Sequence, residues 1–245
     1  MKIIGIIPAR YASTRFPAKP LIDIGGKSMI QRVYVQAKKS KFLADVVVAT
    51  DDERIASHVK KFGGNVVMTS ENHQSGTDRC YEAIQQFSKD ADVVVNIQGD
   101  EPFIRPEQID LVASCFSSPK VQIATLVKKI TTDEELFNVN IPKVVLNKNK
   151  EAVLFSRQTI PHIRGKEMKD WLKSYAFYKH IGIYAYQTQI LKEITALKPS
   201  DLELAESLEQ LRWLENGYKI NVEVTDFESV AVDTPDDLKK LTKFL

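Results

Sequence analysis

PARYASTRFPAKPL, residues 8–21, follows directly on the apolar run Lys2-Ile-Ile-Gly-Ile-Ile7, so a buried strand feeds a long polar loop. A short β-branched run without polar alternation suits a parallel strand covered on both faces. The loop carries Arg10, Arg15 and Lys19 with no carboxylate nearby, and Ser13 and Thr14 add hydroxyl donors. Forked guanidiniums and a mobile ammonium suit the oxygens of a triphosphate. The P-loop spacing is absent and no G-x-G-x-x-G follows a strand, so the ATPase and dinucleotide fingerprints are missing and phosphate must be held another way.

A second loop of this kind lies far along the chain. Asp92-Val-Val-Val-Asn-Ile97 ends in Gln98-Gly-Asp-Glu, within NIQGDEP (residues 96–102). Ligands of open α/β sheets bind at the carboxyl ends of strands. Magnesium takes one or two carboxylates plus substrate phosphates, so Asp100 reads as a metal ligand. Glu101 reads equally well as a turn or capping residue ahead of the helix that Pro106 and Glu107 open. Asp233, in SVAVDTPDD, is a third carboxylate after an apolar run; with Thr234 able to cap the following helix and Pro235 at its first position, Asp233 is spare.

Strands are predicted near residues 2–7, 45–50, 65–68, 92–97 and 121–128, with helices near 28–39, 52–62, 77–88 and 106–116. That alternation implies βαβ units and a mainly parallel sheet. Gly25-Gly26 marks a tight turn and Gly63-Gly64 a helix stop. From about residue 130 the rhythm loosens, with strands at 143–147 and 180–186 around a charged, aromatic connector. This predicts a smaller inserted lobe, residues 130–187, on a core formed by residues 1–129 and 188–245. The core resumes with strands at 219–224 and 229–232 and a final helix. A helix near 205–217 is predicted to bury a stripe of Leu204, Leu208, Leu211 and Leu214, leaving Glu206, Glu209 and Gln210 on another face. Within the lobe Arg157 suits a two-point contact with a substrate carboxylate. His180, Gly182 and Tyr184 alternate along one strand face.

With 245 residues, 43% of them hydrophobic, the chain can bury a full core. Thirty-four basic against 32 acidic residues leave a formal charge of +2, which points away from nucleic acid. No apolar run approaches the roughly 20 residues a bilayer span requires, and no signal sequence opens the chain, so a cytoplasmic enzyme is expected. Cys80 and Cys115 read as reduced helical packing residues.

The chain resembles the 3-deoxy-manno-octulosonate cytidylyltransferases, the CMP-Kdo synthetases, through PARYASTRFPAKPL, ATDDERI (49–55), HQSGTDR (73–79), NIQGDEP, LFSRQTIP (154–161), HIGIYAY (180–186), LEQLR (208–212) and VDTPDDL (232–238), in the family's order over nearly the whole chain. The resemblance implies a Rossmann-like nucleotidyltransferase fold. It implies transfer of a cytidylyl group from CTP to the anomeric hydroxyl of 3-deoxy-manno-octulosonate (Kdo), an eight-carbon sugar acid, and a homodimer assembled through the lobe. Arg10, Ser13, Arg15 and Lys19 would then hold the triphosphate, and Ser75, Gly76 and Arg79 would select the base. Gln98 would meet both the nucleotide and the sugar, and Arg157, His180, Tyr184, Glu209 and Gln210 would meet the sugar. Asp100 and Asp233 would carry Mg2+, a role that capping alone does not give Asp233. Lys19, Arg10, Asp100 and Asp233 form the implied catalytic set.

Two positions depart from the family pattern. Ala18 stands where glycine is usual, and Gln187 where arginine often follows HxGxYxY; the second keeps 8-amino-Kdo open as the sugar. A sialic acid is a further enzymatic alternative, and a catalytically silent nucleotide-binding regulator is the alternative outside catalysis.

Overall fold

A computed structural model of the chain describes residues 1–12, 16–228, 230–232 and 234–240. Ser13, Arg15 and Asp233, three of the expected site residues, lie outside them.

Among the described residues the strands are β1 (Ile3–Ala9), β2 (Asp45–Thr50), β3 (Val66–Met68), β4 (Val93–Asn96), β5 (Ile123–Lys129), β6 (Lys143–Leu146), β7 (Ala152–Ser156), β8 (Tyr178–Gln187) and β9 (Ile220–Val224). The helices are α1 (Met29–Ala37), α2 (Glu53–Lys61), α3 (Gly76–Phe87), α4 (Pro106–Ser114), α5 (Asp133–Phe137), α6 (Trp171–Ser174), α7 (Thr188–Thr195), α8 (Asp201–Glu206), α9 (Gln210–Glu215) and α10 (Pro235–Lys240). The sheet runs β3-β2-β1-β4-β8-β5-β9, and β6 pairs with β7 and with one end of β8. Pairings among β3, β2, β1 and β4 are parallel, as is β5 with β9, while β8 runs antiparallel to both neighbours. The sheet is therefore mostly parallel.

Both faces are covered, as the unbroken apolar strands require. Ile3 and Ile7 of β1 enter one core with α1 and α4, and Ile4 and Ile6 enter the other with α3, α7 and α9. Gly5 marks a close approach, since a β-carbon there would stand 2.7 Å from Leu43 Cδ1.

The strand order creates a crevice. From β1 the chain steps outward to β2 and β3, then returns to the other side of β1 as β4. The loops leaving β1 and β4 therefore diverge from adjacent strand ends, a topological switch point at which such sheets bind ligands.

β8 occupies a slot that no short-range pattern announces. β4 and β5 are consecutive in the first-half rhythm, yet β8 enters between them, with Asn96 opposite Tyr184 and Thr125 also opposite Tyr184. The expected lobe thus shares its last strand with the centre of the core sheet. A bulge where β8 leaves register with Thr125 and Leu126 brings the rings of His180 and Tyr184 to 5.2 Å.

Three local expectations are corrected. The helix expected over 205–217 is two short ones, α8 and α9, broken at Ser207, whose φ of 51° reverses the chain. Leu208 and Leu211 are consequently buried while Leu204 is 67% exposed, so the predicted stripe is divided. Residues 230–232 form no strand; instead the Val232 amide donates to the Asp100 carbonyl at 2.9 Å. Antiparallel β8 carries Gln187 to the opposite sheet edge from His180, where its amide donates to the Pro119 and Val121 carbonyls. Gln187 therefore lies at the end of β8 away from His180 and from the loop after β4.

Ala18 adopts φ 58°, ψ 15°, and its amide closes onto the Tyr11 carbonyl at 3.1 Å. An L-residue costs about 1–2 kcal/mol in this left-handed region, and glycine avoids the clash at some expense in unfolded-state entropy. Ala18→Gly is expected to raise stability by about 1 kcal/mol, read as a later urea midpoint at unchanged m-value.

Candidate functional site

At the carboxyl end of β1, Arg10 is exposed. The loop then turns through Ala18 into a 3-10 turn, Lys19–Leu21, with Pro20 buried beneath it. Across the crevice the loop after β4 is pressed against β1, because a β-carbon on Gly99 would sit 2.8 Å from the Pro8 carbonyl oxygen. That contact explains glycine ahead of Asp100. Lys19 Nζ donates to Asp100 Oδ2 at 2.7 Å, with both side chains largely enclosed. Lys19 and Asp100, 81 positions apart in the chain, thus face each other.

Asp100 Oδ1 has no hydrogen bond among the described residues. Also among them, no group of three or more His, Cys, Asp or Glu side chains is arranged to hold a metal. A single carboxylate with an oxygen to spare at the mouth of the crevice suits magnesium, which takes one or two carboxylates and completes its shell with phosphate oxygens and water.

On the far side of β1, Ser75 caps α3 in a reciprocal box with Asp78. Gly76 follows at the helix start, where a β-carbon would stand 3.3 Å from Pro8 Cγ. Thr77 is free to turn inward and donates to Glu209 Oε2 at 2.8 Å. Arg79 is fully buried: Nη1 donates to Thr69 Oγ1 at 2.5 Å and Nη2 to Asp51 Oδ2 at 2.6 Å. Its forked head ties α3 to the loops after β2 and β3 and does not face the crevice opening.

The third wall comes from β8, β7 and α9. His180 is packed edge-on against Phe155, and its Nε2 lies 3.1 Å from Thr125 Oγ1. The Thr125 hydroxyl donates to the Ile183 carbonyl at 2.8 Å, so it accepts from His180 and sets the proton on Nε2. Burial pulls the His180 pKa down from 6.5 to about 4, keeping the ring neutral at pH 7. The unfolded chain takes up this proton near pH 6.5 and the folded protein only near 4. Stability is therefore full above 6.5 and falls as the pH drops through that window, by up to about 3 kcal/mol. His180→Gln is expected to flatten the loss between pH 6.5 and 4 in urea titrations.

Glu209 precedes α9, and burial pushes its carboxyl pKa up against the opposing hydrogen bond from Thr77. Arg212 Nη2 approaches Glu209 at 3.3 Å while also pairing with Glu203. Around this carboxyl the rings of Tyr184, Tyr186 and Trp213 interlock, with Trp213 edge-on to both tyrosines at 5.1 and 5.6 Å. Asn96 Oδ1, the hydroxyls of Tyr184 and Tyr186, the Gln210 amide nitrogen and the Trp213 indole nitrogen are buried without a hydrogen-bond partner among the described residues. Such a concentration of unmet polar atoms marks a site that a polar ligand or ordered water completes. Burial drives both tyrosine hydroxyls well above their ordinary pKa, so they remain protonated donors.

Gln98 lies against the bare backbone of Gly182, where a β-carbon would stand 3.9 Å from Gln98 Cγ. A cavity of 330 Å³ opens beside it, lined in part by Glu101, Asn140, His180, Gly182 and Glu228. Glu101 is itself buried. Arg157 is more committed than expected. Its Nε donates to the Glu206 carbonyl at 2.7 Å, and its Nη atoms reach the Val139 and Ser207 carbonyls at 3.4 Å. Glu206 accepts in return from the Ser156 hydroxyl and the Arg157 amide. This expected carboxylate reader is therefore anchored along the α8 break.

Asn96, Tyr186 and Trp213 join the candidate chamber although the sequence reading did not single them out. Tyr186 had a signal, two residues beyond Tyr184 on the same strand face; Asn96 and Trp213 read as strand and helix core.

A family model described as Cytidylyltransferase matches residues 4–220. A protein of Parabacteroides distasonis called 3-deoxy-manno-octulosonate cytidylyltransferase is 64% identical over 249 aligned positions, covering 100% of this chain and 98% of the relative. One of the same name from Bacteroides thetaiotaomicron is 64% identical over 248, with the same coverage. Among solved structures, a CMP:2-keto-3-deoxy-manno-octonic acid synthetase complexed with CTP superposes with a TM-score of 0.92 at 40% identity, covering 100% of this chain and 98% of that one. A Bacillus anthracis protein described as a glucose-1-phosphate thymidylyltransferase, at 18% identity and TM-score 0.64 over 99% of this chain and 94% of its own, shares the fold. From its crevice, its fold and identity along its whole length, this chain belongs to the 3-deoxy-manno-octulosonate cytidylyltransferase family.

Proposed function

We infer that this protein transfers the cytidylyl group of CTP to the anomeric hydroxyl of Kdo, releasing pyrophosphate and CMP-Kdo. The observation that carries this is the pairing of Lys19 with Asp100 at the switch point, beside a chamber of unmet polar groups around Glu209. The first suits a triphosphate and the second a polyhydroxylated sugar. The sugar oxygen attacks the α-phosphorus in line with departing pyrophosphate, so catalysis rests on positioning and charge neutralisation. Arg10 and Lys19, with Ser13 and Arg15 of the same loop, neutralise the triphosphate and the leaving group. Ser75 and Gly76 lie beside the base, and Arg79 shapes that side through Asp51 and Thr69. Neutral His180, Tyr184, Glu209, Gln210 and Gln98 orient the sugar, and Arg157 receives its carboxylate.

Asp100 and Asp233 hold Mg2+ in this reading; bound there, the cation polarises the α-phosphate and makes the attacking hydroxyl more acidic. The enzyme works in the cytoplasm, where the activated sugar feeds lipopolysaccharide synthesis. No helix among the described residues is long and apolar enough to cross a membrane. It forms a homodimer through the lobe, which exposes Val139, Val153 and Met168 at 51%, 58% and 55%.

Pyrophosphate release is measured with CTP, magnesium and, in separate arms, Kdo, 8-amino-Kdo and a sialic acid. Release that depends on Kdo establishes the activity. Release with only another sugar moves the substrate, and CTP binding without release in any arm supports a silent regulator. Gln187, the reason for considering the amino sugar, lies at the wrong edge of the sheet to favour it.

A further inference from the structure

Residues 138–142 form a turn between α5 and β6, and Asn140, Ile141 and Pro142 of that turn line the 330 Å³ cavity together with His180 and Gly182. The turn closes on Asn138. Its Oδ1 accepts from the Asn140 amide at 2.9 Å, and its carbonyl accepts from the Ile141 amide at 3.1 Å. The Pro142 carbonyl accepts from the His180 amide at 2.9 Å, which docks the turn on β8.

A cation that the reaction described above does not use is tied to this turn. Lys143, the first residue of β6, is fully buried, and its Nζ donates to the Asn138 carbonyl at 2.6 Å and to the Arg157 carbonyl at 3.1 Å. No carboxylate pairs with it among the described residues. Lys179, opposite it on β8, is by contrast neutralised by Glu135 and Glu228. Enclosing an ammonium with only carbonyl dipoles as partners is costly, and burial pulls the Lys143 pKa below its ordinary value. An apolar side chain would fill the same space without that cost, so the two contacts are what the lysine supplies. They join the cavity wall to Arg157, whose Nη1 also reaches the Val139 carbonyl inside the turn at 3.4 Å.

We propose that Lys143 is a positioning residue for the sugar acid, its ammonium stapling the turn over residues 138–142 to Arg157 so that cavity wall and arginine keep one geometry. The proposal rests on reading that cavity and Arg157 as the place of the sugar. CTP meets neither segment in that reading, so the staple bears on the sugar alone. A misplacement of about 1 Å that arises away from the reacting atoms can cost on the order of 10²-fold.

The test measures pyrophosphate release by the full-length protein in separate titrations of Kdo and CTP, with a thermal melt of each variant. Lys143→Met is expected to raise KM for Kdo by about tenfold or more and to leave KM for CTP within about twofold. Lys143→Gln, which keeps a donor, falls between it and the unaltered protein. Asn138→Ala removes the acceptor of the Asn140 amide and is expected to raise KM for Kdo by about threefold. Asn138 is partly exposed, so its variant keeps a native melt even if the buried lysine variant does not. An unchanged KM for Kdo in natively melting Lys143→Met overturns the staple, as does an unchanged one in Asn138→Ala where Lys143→Met does not fold. Equal rises in the two KM values also overturn it, because a loosened fold produces them without any staple. A normal KM for Kdo in Arg157→Ala, or no Kdo-dependent release from the unaltered protein, overturns the reading of the sugar site and the staple with it.

Discussion

Asp100→Asn is expected to lower pyrophosphate release by on the order of 10³-fold while leaving the melting curve nearly unchanged. The substitution keeps shape and hydrogen-bonding capacity at the end of β4 but removes the charge. Two consequences follow. On the proposed reading, the cation loses the carboxylate charge that faces Lys19. The ion pair that joins Lys19 to Asp100 at 2.7 Å, between two largely enclosed side chains, is also lost. Removing a single preorganised electrostatic contact costs about 10²–10³ in kcat, and the expected loss lies at the upper end of that range because the charge removed also serves the cation. Fold loss is excluded by the surroundings: Gly99 and the Val232 amide hold the loop through backbone contacts that asparagine leaves intact. The measurement is kcat with saturating CTP and Kdo over a magnesium titration, and retention of more than a tenth of the activity overturns the assignment of Asp100.

Arg79→Met is expected to act first on stability, at about 3 kcal/mol, with the preference for CTP over UTP changed less than about threefold in the protein that remains folded. Removing one partner from a buried ion pair strands the other, and such losses run about 3–5 kcal/mol; the lower end applies because Asp51 keeps 17% of its side chain exposed. Thr69 also loses its donor. A side chain that read the base directly would give the opposite pattern, an altered nucleotide preference on a stable fold. Urea unfolding and parallel CTP and UTP kinetics at low temperature decide between them.

Arg79 illustrates where sequence reasoning stops. HQSGTDR places an arginine near a nucleotide loop, but on α3 its position turns the side chain inward to Asp51, 28 residues earlier. Glu206, Glu209 and Gln210 show the same limit. Spacing on one uninterrupted helix puts them on a shared polar face, whereas the left-handed Ser207 separates Glu206, which holds Arg157, from Glu209 and Gln210, which enter the chamber. A single backbone reversal overrides helical periodicity because it changes the direction of every later side chain.

The residues by themselves determined the first-half βαβ order, the mainly parallel sheet and the two loops that meet in the crevice. These are written in short-range signals: unbroken β-branched runs, glycine stops, and polar segments launched from strand ends. Ala18 stood out only against the family pattern, and it holds a positive φ despite its β-carbon. Tertiary structure alone decided that β8 would enter between β4 and β5, antiparallel to both. That choice brings His180 and Tyr184 to the site and sends Gln187 to the opposite edge. It also let Tyr186 and Trp213 close a polar chamber and let Lys179 grip Glu228. The physical reason is that strand insertion and buried pairing depend on contacts between residues far apart in the chain, whose energy no local pattern of hydrophobicity or charge contains.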